Sequence, residues 1–94
     1  MKIGSIPRSS MILLDKLLKE GPLTPSDMHQ RSNLAPRTIS YALKHLQKYS
    51  LCKKQYNLVD MRQPLYYADR KRIEELEIDM DRWRMERRIY FRLL

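Results

Sequence analysis

The chain has 94 residues, with nineteen Lys or Arg against eleven Asp or Glu, and its formal net charge is +8. This length fits one small domain whose own core is marginal, so a partner subunit is expected to add buried area. The cationic excess favours nucleic acid over an acidic protein or a membrane surface as the partner. No apolar run approaches the roughly 20 residues that cross a bilayer, which excludes a spanning helix.

The first predicted elements are a flexible segment, residues 1–8, and a helix of about ten residues. Ser9 or Ser10 can cap this helix, and its apolar positions repeat at helical spacing. Gly21 follows the last of them and ends the helix.

A second helix opens with strong start signals. Thr24 is a good cap, Pro25 suits the first helical position, and Asp27 adds negative charge to the first turn. The helix should run to about Ser32. Asn33 then supplies a turn residue that tolerates a left-handed backbone.

The third helix is predicted to begin at Pro36, and it has two distinct faces. At 100° per residue one face is apolar, with Ile39, Ala42, Leu43 and Leu46. The opposite face presents cations and hydroxyls, namely Arg37, Ser40, Tyr41, Lys44 and Lys48. Two short helices joined by a tight turn make a helix-turn-helix, whose second helix reads DNA.

After Ser50 the pattern becomes extended, and strands are predicted at residues 51–56 and 64–68 around a long, polar tip. Pro64 places the second strand at an edge or at its own start. Three helices followed by a hairpin predict a mainly α fold with a small β-hairpin (α+β), a winged helix-turn-helix over residues 9–68. Cys52, the one cysteine, is interpreted as a small apolar strand residue.

The remaining residues, 69–94, predict a long coiled-coil dimerisation helix capped by Asp69. An uninterrupted helix over residues 70–94 would be roughly 37 Å long, too long for its apolar stripe to be covered by so small a domain. A second copy, parallel or antiparallel, is the simplest cover; a helix folded back on its own domain is the alternative. The predicted seam, the line of residues along which two such helices would pack, has alternating steps of three and four residues: Ile73, Leu76, Met80, Trp83, Arg87, Tyr90 and Leu94.

Residues 13–68 resemble winged helix-turn-helix transcription regulators of the MarR type. The resemblance rests on Leu23-Thr24 at the second helix, Arg37-Thr38-Ile39-Ser40 at the third, and Asp60-Met61-Arg62 in the wing. The single long helix after the wing is similar to that of small archaeal winged-helix dimers with a coiled-coil tail. The resemblance implies a DNA-binding regulator in which Arg62, oriented by Asp60, enters the minor groove.

A DNA interface follows from this arrangement. Arg37 is predicted to fork onto guanine O6 and N7, with Ser40, Tyr41 and Lys44 nearby in the major groove. Phosphate contacts are assigned to Thr38, Lys44 and Lys48 on the third helix and to Lys53 and Lys54 in the wing, which also carries Arg62. The cluster Arg70-Lys71-Arg72 opposes the helix dipole and is a further candidate for phosphate. A dimer would present two recognition helices about one turn of DNA apart, so an inverted repeat is the expected site.

Other functions are disfavoured by what the sequence lacks. It has no glycine-rich phosphate loop and no Cys and His cluster with metal spacing, so no enzyme, cofactor or metal is expected. The lone cysteine suits a reducing cytosol, and the expected location is cytoplasmic and nucleoid-associated. Two alternatives stay open: an architectural DNA protein with little base preference, and a winged-helix module that binds protein.

Overall fold

The fold was analysed in a computed structural model, which describes residues 6–93, with side chains described for residues 6–87. Three helices precede a β-hairpin and two helices follow it, which confirms the predicted mainly α architecture with a small antiparallel hairpin. The elements are α1 (Arg8–Glu20), α2 (Pro25–Ser32), α3 (Pro36–Lys48), β1 (Cys52–Gln55), β2 (Leu65–Ala68), α4 (Arg70–Glu75) and α5 (Met80–Leu93).

The amino end of α1 differs from the prediction. Pro7 occupies the cap position and no side chain caps the helix. Ser10, a predicted cap, is instead buried inside α1, where its hydroxyl donates a 3.0 Å hydrogen bond to the Ala42 carbonyl. Ile6 is buried in the core, so Ile6 and the residues that follow it belong to the folded domain and not to a flexible segment. Residues 1–5 lie outside the described part.

The start of α2 and the turn after it agree with the sequence. The Thr24 hydroxyl accepts from the Asp27 amide at 3.1 Å, and the Asp27 carboxylate accepts from the Thr24 amide at 3.3 Å. This reciprocal capping box satisfies two of the helix's unpaired donors. Asn33 adopts a φ of 60°, and α3 begins at Pro36 as predicted.

The hairpin pairs β1 with β2 antiparallel, with Cys52 opposite Ala68. Its second strand is joined to Leu23, two residues before α2, by two backbone hydrogen bonds between Leu23 and Tyr66, at 3.0 and 2.9 Å. The first strand is shorter than predicted because the Leu51 amide donates to the Leu46 carbonyl at 2.8 Å and thereby closes α3. The wing is therefore fixed to the helices on both sides.

The predicted uninterrupted helix over residues 70–94 is wrong, because the chain turns between α4 and α5. Glu77 has a φ of 55°, and its amide donates to the Glu74 carbonyl at 3.0 Å. The Ile78 amide donates to the Ile73 carbonyl at 3.1 Å, and both isoleucines are buried. These are the two bonds and the apolar contact of a Schellman ending. Asp79 then caps α5 by accepting from the Arg82 amide at 2.9 Å.

The predicted seam is largely used within the protomer. Ile73 and Met80 are buried in the domain core, and Leu76 and Trp83 pack against it. Arg87 lies over the Trp83 ring, 5.3 Å from its centroid. The alternative of a tail folded onto its own domain therefore holds for these residues. The predicted seam residues Tyr90, by its side chain, and Leu94 lie outside the described part.

Replacing Glu77 by glycine tests this turn directly. Only glycine occupies the left-handed region without steric cost, so Glu77→Gly should raise the free energy of unfolding by about 0.5–1 kcal/mol. Glu74→Gly, within α4, should lower it by about 1 kcal/mol. Urea unfolding of both variants measures the two changes in the free energy of unfolding. An equal loss of stability in the two would indicate a continuous helix through Glu77.

Candidate nucleic-acid interface

The inner face of α3 anchors this helix in the core. Its four apolar residues are all buried, as the periodicity predicted: Ile39, Ala42, Leu43 and Leu46. The Ser10 hydrogen bond to the Ala42 carbonyl adds a polar link between α1 and α3. A helix held along its full inner face cannot rotate without exposing apolar surface. Its outer face therefore has a fixed orientation.

The outer face of α3 is open to solvent. Thr38 beside it is half-buried, and the five residues predicted for this face are all exposed: Arg37, Ser40, Tyr41, Lys44 and Lys48. The Tyr41 ring meets the His45 ring edge-on, with 4.6 Å between centroids. Lys48 Nζ lies 5.8 Å from the centroid of the Tyr49 ring. Two aromatic contacts thus restrain long side chains that would otherwise sample many rotamers.

The turn before α3 is held by side chains that periodicity does not reveal. His29 Nδ1 lies 2.8 Å from the Leu34 carbonyl oxygen, a contact that needs the proton on Nδ1. The Leu34 amide donates to the Ser32 hydroxyl at 3.3 Å. The amino end of α3, with exposed Arg37, therefore follows a turn that is hydrogen-bonded on both sides.

At the base of the wing, one predicted cation already has a partner. Lys53 Nζ lies 3.0 Å from the Asp69 carboxylate, which also accepts from the Arg72 amide at 3.1 Å. Lys54 Nζ lies 5.7 Å from the centroid of the Tyr66 ring. The Lys53 charge is balanced locally, so Lys54 contributes more to the positive field of the wing than Lys53 does.

The tip of the wing is less polar than predicted. Arg62 is 91% exposed, and its Nε lies 3.3 Å from the Asp60 carboxylate, so Asp60 is placed to orient it. Four large apolar side chains of the same loop are also exposed: Tyr56, Leu58, Val59 and Met61. The pair Leu58-Val59 was visible in the sequence, but periodicity gives no direction for side chains in a loop.

The cations at the start of α4 bind protein carbonyls. Arg70 Nη2 donates to the Leu18 carbonyl at 3.1 Å, near the end of α1. Arg72 Nε donates to the Tyr49 carbonyl at 2.9 Å, at the end of α3. Guanidinium groups here satisfy carbonyls that a helix terminus leaves unpaired. This explains two of the three cations that oppose the α4 dipole; Lys71 stays exposed.

The pair formed by Lys53 and Asp69 predicts a pH dependence of stability. The hydrogen bond from Lys53, and then that from the Arg72 amide, hold the pKa of Asp69 below its usual 3.8. The same pairing raises the pKa of Lys53 above 10.5. The carboxylate stabilises the fold above its ordinary pKa, and this contribution disappears as the pH falls through the lowered value.

Asp69→Asn should therefore destabilise the protein at neutral pH and have a much smaller effect in acid, below the lowered pKa. The amide oxygen can still cap α4, so the variant isolates the charge. Urea unfolding of both proteins across this pH range measures the difference. A difference in the free energy of unfolding that is constant with pH would contradict the pairing of Asp69 with Lys53. Lys53 loses its own contribution only as the pH rises through its raised pKa.

The described residues were also compared with what a reactive cysteine, a metal site or a membrane-spanning helix requires. Burial raises the pKa of the Cys52 thiol to about 11, which keeps it a protonated, apolar side chain. Residues 6–87 contain no group of three His, Cys, Asp or Glu side chains placed to hold a metal ion. No helix in the described part of the chain is both long and apolar enough to cross a membrane.

No protein-family model and no curated protein matches the sequence of the chain. Solved structures do match its fold. A MarR family transcription regulator superposes with a TM-score of 0.75 and 17% identity, over 92% of this chain and 56% of the other. The adhesin competence repressor of Streptococcus pyogenes superposes with a TM-score of 0.73 and 18% identity, over 98% of this chain and 68% of the repressor. BpsR of Bordetella bronchiseptica superposes with a TM-score of 0.67 and 15% identity, over 76% of this chain and 51% of BpsR. The DNA binding of BpsR is regulated by 6-hydroxynicotinic acid.

These likenesses establish the fold. The chain has the winged helix-turn-helix fold of MarR-type transcription regulators, as the resemblance in its sequence predicted. It spans between 51% and 68% of the length of these three solved structures.

Proposed function

We propose that the protein is a transcription regulator that binds double-stranded DNA as a homodimer at an inverted repeat. One observation carries this proposal: a helix anchored along its inner face presents an exposed face on which three of five residues are cationic. A rigid helix with such a face suits the major groove, where side chains reach base edges and phosphates together.

The residues divide into two roles on α3. Arg37 and Ser40 lie in its first turns, where a recognition helix meets base edges, with Tyr41 and Lys44 one step further. Lys48, at the carboxyl end, is assigned to the phosphate backbone, and so is Thr38, at the amino end beside the outer face. Arg37 is the residue assigned to guanine, because a guanidinium can donate to O6 and N7 together.

The wing is assigned to the adjacent minor groove. Arg62 extends from a hydrogen-bonded loop, and an arginine suits the negative potential of a narrow minor groove. Lys54 lies on the strand that leads to this loop and is assigned to phosphate. Lys53 is a weaker contributor, since Asp69 already balances its charge.

The dimer is assigned to residues 85–94, since the earlier part of the predicted seam covers the protomer's own core. Met85 is exposed there, and the sequence continues with Ile89, Phe91 and Leu93. Arg87, Tyr90 and Leu94 remain the predicted seam residues in this segment. A domain of this size gains buried area by such pairing.

Salt dependence of DNA binding tests the proposal. Each neutralised phosphate contributes about 0.9 to the slope of log affinity against log salt, so Lys48→Ala should reduce the slope by about one. Arg82→Ala, on α5, removes the same charge and is the matched control, with an unchanged slope. Fluorescence anisotropy with a labelled duplex pool measures both. Wild-type protein that shows no salt-dependent binding would contradict the proposed function.

A further inference from the structure

The apex of the wing presents apolar side chains to solvent. Leu58 is 88% exposed and Val59 97%, and they are adjacent in the loop between β1 and β2. Met61, three residues from Leu58, is also exposed. Isolated exposed apolar residues are common, but a contiguous group on a projecting loop indicates a contact surface.

Hydrogen bonds fix the loop that carries these residues. The Asn57 side-chain oxygen accepts from the backbone amides of Val59, at 3.1 Å, and Asp60, at 3.2 Å. The Asp60 carboxylate accepts from the Arg62 amide at 3.1 Å and from Gln63 Nε2 at 3.3 Å. Asx turns of this kind restrict the backbone, so Leu58 and Val59 are held outward in advance of any partner.

The charges around the apex indicate which kind of partner it binds. Lys54 and Arg62 lie on either side of the apolar pair, and Asp60 is the one acidic residue between β1 and β2. Asp60 is paired with Arg62, so these three residues leave the tip with a net charge of +1, and two such tips have no charge attraction for one another. A polyanion is attracted. Among polyanions, duplex DNA also offers an apolar interior, because its stacked bases accept apolar side chains from the minor groove.

We infer that Leu58 and Val59 form an apolar wedge that enters the minor groove beside Arg62 and partly unstacks one base step. This inference rests on the proposed function and adds a different contact to it. Arg62 supplies the electrostatic attraction, and the wedge adds apolar burial that is independent of salt. Side chains that enter a step in this way bend the duplex toward the major groove.

The wedge also adds a kind of sequence preference. Pyrimidine-purine steps such as TA unstack more easily than other steps, so they are the preferred sites under the wing. The protein would then discriminate at positions where no base edge is contacted. This preference is separate from the reading of bases by Arg37 in the major groove.

The test uses an A·T-rich duplex with 2-aminopurine at its TA steps, because this base brightens when it unstacks. The full-length protein is compared with Leu58→Ser/Val59→Ser and with Leu58→Met/Val59→Ile, which keeps the apolar character. The serine variant should bind roughly tenfold more weakly at every salt concentration, with the salt slope unchanged. It should also lose the fluorescence increase. The apolar variant should retain both affinity and fluorescence.

Several results would overturn the wedge. A serine variant with wild-type affinity and fluorescence would do so, as would wild-type protein that binds tightly without any brightening; neither affects the proposed function. A serine variant that dissociates in sedimentation but binds DNA normally would reassign the apex to a contact between copies. Wild-type protein that binds no duplex at all would overturn both the wedge and the proposed function.

Discussion

Arg84→Met is expected to lower the free energy of unfolding by about 2–3 kcal/mol. Arg84 Nε lies 2.6 Å from the Asp15 carboxylate, and this pair joins α5 to α1. The Asp15 side chain is only 10% exposed and that of Arg84 29%. Removal of Arg84 leaves a nearly buried carboxylate with Lys19, at 3.3 Å, as its remaining cation. The loss therefore falls between those of exposed and fully buried pairs.

Two controls isolate this pair. Arg82→Met removes an exposed arginine of the same helix, paired with Glu86 at 3.1 Å, and should cost about 0.5 kcal/mol or less. The double variant Asp15→Leu/Arg84→Met removes both charges and should recover much of the lost stability. Urea unfolding measures all three variants. Equal costs for Arg84→Met and Arg82→Met would show that α5 is not held by the Asp15 contact.

Arg37→Ala is expected to reduce discrimination between the preferred duplex and a scrambled one by about 1–3 kcal/mol, the value of one bidentate base contact. Arg37 follows Pro36 at the amino end of α3 and is exposed. Its guanidinium is the outer-face group best suited to a two-point contact with guanine. Competition binding with the two duplexes, at one salt concentration, measures the effect.

The variant Arg37→Lys keeps the charge but not the planar fork, so it should lose most of the same discrimination while binding scrambled DNA almost normally. Lys48→Ala should weaken binding to both duplexes by the same factor, because a phosphate contact does not depend on the base sequence. The assignment of Arg37 to a base would be wrong if Arg37→Ala weakened both duplexes by one common factor.

The local signals of the sequence predicted the helix-turn-helix well. Thr24 and Asp27 form the predicted capping box, and Pro36 begins α3, because caps and first-turn residues act within a few residues of one another. The division of α3 into two faces followed from helical spacing. Such features depend on neighbours in the sequence, which is why reasoning from the sequence reached them.

Features that depend on distant residues were not predicted. No glycine or proline marks the turn at Glu77; the turn instead accompanies burial of both Ile73 and Ile78 in the core. The partner of Lys53 lies across the hairpin, at Asp69, which a linear pattern does not indicate. The same is true of the Ser10 contact with the Ala42 carbonyl, which joins α1 to α3.

The measurement that tests the central claim most directly is selection of bound DNA from a randomised duplex library at near-physiological salt, followed by sequencing. The proposed dimer should enrich an inverted repeat whose half-sites lie about one helical turn apart. Retention without any enriched sequence would contradict a sequence-reading regulator and indicate an architectural DNA protein. Absence of retention would contradict DNA binding altogether and leave the protein-interaction module.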